Sequence, residues 1–164
     1  MIFIGADPGV SGALAFLYAN MPPRVEDMPT RPTRTALGLI KREVFAEGVQ
    51  DLLRYFTAPG AAKHICIESV GIMGGVNNAI QIQGSLVRSF TIIEACAELD
   101  RYEISYVQPQ GWKKFYGLGR DKGEALRIAC ELFPQLADHR LTRAKDHNRA
   151  EALLIANFAK RTQE

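Results

Sequence analysis

Two periodicities alternate along the chain. Met1–Ala6 and Ala13–Tyr18 are apolar runs joined by Asp7-Pro8-Gly9-Val10-Ser11-Gly12, the pattern of two strands turning over a Gly/Pro loop. Pro22, Pro23, Pro29 and Pro32 break the period across 19–36, which predicts a loop, a short third strand near Val25–Met28, and a second loop. Phe45, Val49, Leu52, Leu53 and Phe56 then fall at helical spacing and stop before Pro59-Gly60. His64–Ile67 is a compact apolar run ending on Glu68, as expected of a buried strand of the parallel type. A long helix is predicted from about Asn78 to Asp100, with Ile82, Leu86, Phe90, Ile93 and Ala97 on one face. Glu103–Val107 reads as the next strand. Pro109 to Gly117 is a turn-rich segment in which aromatics and lysines interleave. Ala125, Ile128, Ala129 and Leu132 mark a further helix, and Ala152, Ile155, Ala156 and Ala159 the buried face of a last one, Asn148 to about Lys160.

Three strands followed by strands alternating with helices predict an α/β fold. Its core is a five-stranded mixed sheet, an antiparallel meander extended by two parallel βα units, with helices on both faces. At 164 residues the chain suits a single domain, 1–164. Its 47% hydrophobic and 23% charged content is that of a folded chain, not a disordered one. No apolar run approaches bilayer length, and the N-terminus opens directly as a strand, so no membrane association is expected. Cys66, Cys96 and Cys130 lack metal-type spacing and are expected to be reduced core residues of a cytoplasmic protein. Charge adds one asymmetry. Residues 101–164 carry 12 Lys+Arg against 8 Asp+Glu, and residues 1–100 carry 8 against 10. That C-terminal excess suits a polyanionic partner.

The acids supply the candidate chemistry. Asp7 and Glu68 end strands expected to lie parallel, and the tips of neighbouring strands are ~5 Å apart. Glu151 lies in the first turn of the last helix, with Asp146 just before it. Carboxylates this close repel unless a cation sits between them, and an all-oxygen donor set suits Mg²⁺ or Mn²⁺. Paired divalent ions held by shared carboxylates are common machinery for phosphodiester hydrolysis.

Ile4-Gly5-Ala6-Asp7-Pro8-Gly9-Val10-Ser11-Gly12, the Ile67-Glu68 strand end, and Ala150-Glu151-Ala152-Leu153-Leu154-Ile155-Ala156 resemble, in order and spacing, the motifs of the RuvC family of Holliday-junction resolvases. Pro109 to Lys114 is similar to the family's segment before its basic helix. The resemblance covers nearly the whole chain. It implies an RNase H-like fold, a homodimer, and Mg²⁺-dependent symmetric nicking of four-way junctions. The shorter, phage-borne branch fits best, so a phage-encoded protein would work in the host cytoplasm. Asp7, Glu68 and Glu151 take the positions of metal-ligating carboxylates. The family commonly has Asp where this chain has Glu151, and an Asp or His where it has Asn148. The Gly71–Val76 loop carries no bulky aromatic of the kind some members place just after the strand-end acid.

Asp146 is the expected fourth ligand because it offers a hard anionic oxygen. His147 is second choice as ligand or proton relay, and Asn148 is expected to cap the helix. Lys113, Lys114, Arg120, Lys122, Arg143 and Lys145 are the expected DNA contacts. Trp112 is read as a core or hinge aromatic, and His64 as a strand residue without a catalytic part. A second apolar face of the long helix, with Ile80, Val87 and Ile92, is the expected dimer surface. Competing readings are an RNase H-like nuclease acting on flaps, forks or RNA, and a branched-DNA-binding protein with a degenerate site. An actin-like ATPase needs two such domains to enclose a nucleotide, so no nucleotide cofactor is expected.

Overall fold

The computed structural model describes residues 1–71, 79–119 and 121–163, with side chains throughout except at 79–82 and 122. Strands β1 (Ile2–Asp7), β2 (Ala13–Leu17) and β3 (Arg24–Asp27) form the meander. After hairpin β4 (Thr30–Arg34) and β5 (Ile40–Val44) come helix α1 (Ala46–Phe56), β6 (Lys63–Glu68), α2 (Ala79–Leu99) and β7 (Glu103–Val107). The chain closes with α3 (Pro109–Phe115), α4 (Lys122–Leu132), α5 (Pro134–Ala137), a 3₁₀ turn at Ala144–Asp146, and α6 (His147–Gln163). The main sheet runs β3-β2-β1-β6-β7, antiparallel within the meander and parallel from β1 to β7. This is the predicted five-stranded mixed sheet.

Side chains alternate across β1 and thereby divide the core. Ile2, Ile4 and Ala6 join Ile65, Ile67, Val49, Leu53 and Ile93 beneath α1 and α2. Phe3 joins Cys66, Trp112 and the inner faces of α4 and α6. Gly5 shares the second face and explains how closely α6 lies. A Cβ there would stand 2.1 Å from the carbonyl oxygen of Ala152 and 2.4 Å from the nitrogen of Ala156. Helix backbone therefore rests directly on strand backbone, and the alanines of α6 leave room for that contact.

Two predicted segments differ. Pro109–Phe115 is a helix, not a turn: Pro109 occupies its first turn, where a missing N–H costs nothing. Residues 30–34, read as loop, pair with 40–44 as a separate two-stranded sheet. Pro32 is tolerated in β4 because a two-stranded ribbon leaves one edge of each strand without a ladder partner. Of the expected dimer face on α2, Val87 is exposed and Ile92 packs into the core; the Ile80 side chain and most of the Gly71–Val76 loop lie outside the described residues. Among the described residues no helix is long and apolar enough to cross a membrane.

Gly5→Ala is expected to lose about 3 kcal/mol of stability, the upper end for overpacking, because backbone on both sides must move. Denaturant unfolding of the variant checks this.

Candidate metal and nucleic-acid site

Parity fixes which way the strand-end acids face. Asp7 shares the side of Phe3 and Gly5, and Glu68 the side of His64 and Cys66, so both face α6. β1 and β6 pair in parallel with Ala6 opposite Ile67, which sets Asp7 and Glu68 at adjacent tips. Gly12 closes the loop after Asp7, since a Cβ there would stand 2.0 Å from the Asp7 carbonyl oxygen. Gly9 takes the positive φ that turn needs. From the other side, the Asn148 amide donates to the Ser11 carbonyl and ties the first turn of α6 to the loop. Glu151 lies one turn further along α6, on the same face as Asn148 and His147.

Glu68 is anchored from below. The β6 and β7 tips stay paired to Glu68 and Val107, and the Ser69 N–H donates to the Val107 carbonyl at 2.8 Å. The chain turns there into α3, which buries Trp112 completely, and its indole N–H donates to Glu68 Oε1 at 2.8 Å. Trp112 is thus core, as expected, but it also holds a carboxylate. The segment's proline and aromatic content signals burial; nothing in the sequence pairs Trp112 with Glu68 across 44 positions. Burial holds the Glu68 carboxyl above the usual carboxylate range; the Trp112 hydrogen bond and Lys113 oppose that, and the nearby Glu151 charge adds to it. Lys113 Nζ stands 3.5 Å from Glu151 Oε1 and 5.1 Å above the Trp112 ring.

Asp146 belongs to a different cluster. It is 3% exposed, accepts from Arg143 Nη2 at 2.8 Å and from the Arg143 backbone N–H at 2.9 Å, and has Arg149 Nη1 at 3.5 Å. These guanidinium contacts hold its carboxyl below the usual range, hydrogen bonding from Arg143 foremost. An anion already neutralised by two arginines is a structural counter-ion, so the geometry departs from the fourth-ligand expectation. Spacing alone could not reveal this, because the turn's path decides which way Asp146 faces. α6 begins at His147, so Asn148 sits inside the helix and is not its cap. His147 Nδ1 lies 3.1 Å from the Ala144 carbonyl oxygen.

Of the expected DNA contacts, Lys114 and Lys145 are exposed, Arg143 is committed to Asp146, and Lys113 to Glu151. Arg120 and the Lys122 side chain lie outside the described residues. His64 is buried against Ser105 at 2.8 Å, within β6 and away from the strand tips. Cys66, Cys96 and Cys130 are unpaired thiols.

The all-oxygen trio Asp7, Glu68 and Glu151 suits a hard divalent cation. The mutual repulsion of Glu68 and Glu151 is the kind a cation relieves. Among the described residues, however, no three Asp, Glu, His or Cys side chains converge closely enough to hold an ion as they stand.

No family model matches the sequence, and no curated protein sequence matches it. Solved structures do. A Thermus thermophilus RuvC structure aligns with a TM-score of 0.59 over 99% of this chain and 97% of its own, at 14% identity. The fold is that of RuvC. A structure of T. thermophilus RuvC in complex with Holliday junction substrate aligns with a TM-score of 0.58 at 12% identity, covering 99% of this chain and 96% of that one. The RuvC-like fold thus extends across nearly the whole length of both chains.

Two variants separate the acid clusters. Asp146→Asn should cost about 1 kcal/mol, since it weakens charge-assisted hydrogen bonds from Arg143, whose half-exposed guanidinium water can then solvate. The wild type's advantage is present above the ordinary carboxyl range and is lost as pH falls through the depressed value. Glu68→Gln should act oppositely. A raised carboxyl favours folding below its ordinary value and loses that as pH rises through the folded one. The Gln variant, which can still accept from Trp112, should therefore melt higher at neutral pH, and the gap should close in acid. Thermal melts across pH check both.

Proposed function

We propose that the protein is a Holliday-junction resolvase, a divalent-metal-dependent endonuclease that nicks four-way DNA junctions symmetrically. The observation that carries this reading is the placement of Asp7 and Glu68 on adjacent parallel strand tips, both on the side of the sheet covered by the helix that carries Glu151. That placement occurs within a RuvC-like fold.

Asp7, Glu68 and Glu151 would hold Mg²⁺, with Mn²⁺ a chemically equivalent substitute. When bound, the cations supply Lewis acidity to the attacked phosphate and lower the pKa of water. The chain's own groups do the positioning. Trp112 fixes one oxygen of Glu68 by hydrogen bond, which sets the orientation of the other. Because burial favours the protonated form of Glu68, cation binding would have to displace a proton from that carboxyl, so apparent Mg²⁺ affinity should fall as pH is lowered. Lys113 is close enough to exchange its contact with Glu151 for a phosphate oxygen. Exposed Lys114 and Lys145, with Arg143 at the cleft rim, line an approach for the backbone. Asn148 keeps α6 against the loop that follows Asp7, and His147, on the Glu151 face, is within one turn for proton transfer. Paired nicks call for two active sites related by symmetry, hence a homodimer.

The test is a Mg²⁺ cleavage assay on end-labelled four-way junction, fork, flap and linear duplex. Symmetric cuts on the junction are expected. Asp7→Asn should lower cleavage by more than about a hundredfold, the scale of removing one essential electrostatic group, while junction binding is kept or improved. Near-wild-type cleavage by Asp7→Asn would sink this site. Preferential cutting of flaps or forks would instead favour a broader branch nuclease.

A further inference from the structure

The β4–β5 hairpin carries an apolar tip that covers nothing. Leu37, Leu39 and Ile40 are 86%, 66% and 70% exposed. Single exposed apolar residues are ordinary, but three large ones within four positions mark a contact surface. The tip is built, not frayed. Gly38 N–H donates to the Thr35 carbonyl and Thr35 N–H to the Leu39 carbonyl, both at 2.9 Å. Leu39 N–H donates to Thr35 Oγ1 at 3.1 Å, and Gly38 takes φ +77° to close the turn. The foot is fixed by Val44 and Met28 in the core.

The shaft below the tip is cationic. Arg31, Arg34, Lys41 and Arg42 are exposed, against one acid, Glu43, held by Arg31 at 3.1 Å and approached by Arg88 of α2 at 3.8 Å. The foot of the hairpin also adjoins the loop that follows Asp7. Thr30 and Asp27 at its foot share a cleft of about 600 Å³ with Ser11 and Asn148, the residues that join the Asp7 loop to α6. Five-residue strands extend roughly 17 Å, enough to bring the tip from that edge to a branch point.

We propose that this hairpin is a DNA-binding arm, its apolar tip lodging among unstacked bases at the branch and its flanking cations resting on phosphates. The inference rests on the nuclease reading above. Apolar side chains wedged between base steps are a known way to hold distorted DNA, and cations beside them supply the sequence-independent attraction. A second copy of the chain suits the face less well. A symmetric contact would set Arg31, Arg34, Lys41 and Arg42 of each copy against the same cations of the other.

The experiment compares the parent, a triple variant (Leu37→Ser, Leu39→Ser, Ile40→Ser) and a pair (Arg34→Ala, Lys41→Ala), in chelator so that nothing is cut. Each is titrated with linear duplex and with a four-way junction carrying 2-aminopurine at the crossover. The parent should raise 2-aminopurine fluorescence on binding. The triple variant should lose that rise and bind the junction about tenfold more weakly, the scale of a few lost base contacts, with duplex affinity within about twofold. The cation pair should weaken both DNAs and flatten the salt dependence. Circular dichroism checks that the variants are folded. Unchanged fluorescence and junction affinity in a folded triple variant overturns the arm while leaving the nuclease reading intact. So does conversion of a parent oligomer to monomer without DNA, which would make the tip a protein contact. A parent that binds no branched DNA at all overturns both.

Discussion

The backbone contact between α6 and β1 at Gly5 is the constraint on which the rest of the site depends. With 2.1 Å between a notional Cβ and the Ala152 carbonyl oxygen, no other residue lets the helix lie so low. Depth matters because Glu151 sits one residue before Ala152, and any lift of the helix withdraws that carboxylate from Asp7 and Glu68. The alanines at 150, 152, 156 and 159 are buried and serve the same end. Asn148 pins the helix at its open end by reaching the Ser11 carbonyl. Sequence acts through the smallest residues in the core, and local packing becomes placement of charge.

Two groups of acids then behave in opposite ways. Asp146 and Asp27 face Arg143, Arg140 and Arg149, and hydrogen bonding from arginine holds both below their usual range. Such acids cement the turn before α6 to the end of β3. Glu68 has only an indole N–H and a lysine to offset burial and a neighbouring carboxylate, and it titrates high. A fold gains nothing in stability from that second arrangement. Strain of this kind, concentrated at strand tips where α/β sheets carry their ligands, is what singles out Glu68 and its neighbours as the chemical group.

The strands and helices that form the core were legible because burial imposes a period. β1, β2, β6 and β7 announce themselves as apolar runs, and α1 by its spacing. The β4–β5 hairpin was not legible, because a two-stranded ribbon exposed on both sides has no apolar alternation to display, and Pro32 argues against a strand. α3 was hidden by the turn character of Pro109 and Gly111. At the site, Asp7 and Glu68 could be placed at one edge from element order alone, whereas Glu151 joined them only through the resemblance in motif order and spacing. The role of Asp146 could not, since it turns on Arg143 and Arg149 folding back over a 3₁₀ turn. Trp112 illustrates a related limit: its burial follows from its type, but its partner follows only from the register of β6 against β7.

Charge counted along the chain also differs from charge counted over the surface. The C-terminal part holds the basic excess, yet many of its cations are spent internally: Lys113 on Glu151, Arg127 on Glu131, Arg140 on Glu26, Arg143 on Asp146, Arg149 on Asp27. Two of those acids, Glu26 and Asp27, lie in β3, so the acidic first part of the chain neutralises some of the basic last part across the fold. What that pairing leaves is uneven. Acids of β3 are consumed by α6 and the loop before it, while the next strands, β4 and β5, keep four exposed cations with one half-buried acid among them. A strongly cationic projection therefore comes from the half with the negative balance. A polyanion approaching the carboxylate edge would meet positive charge from exposed Lys114, and from Lys145 and the hairpin whose foot shares its cleft. That edge carries a group of acids that would repel a phosphate unless a cation is shared.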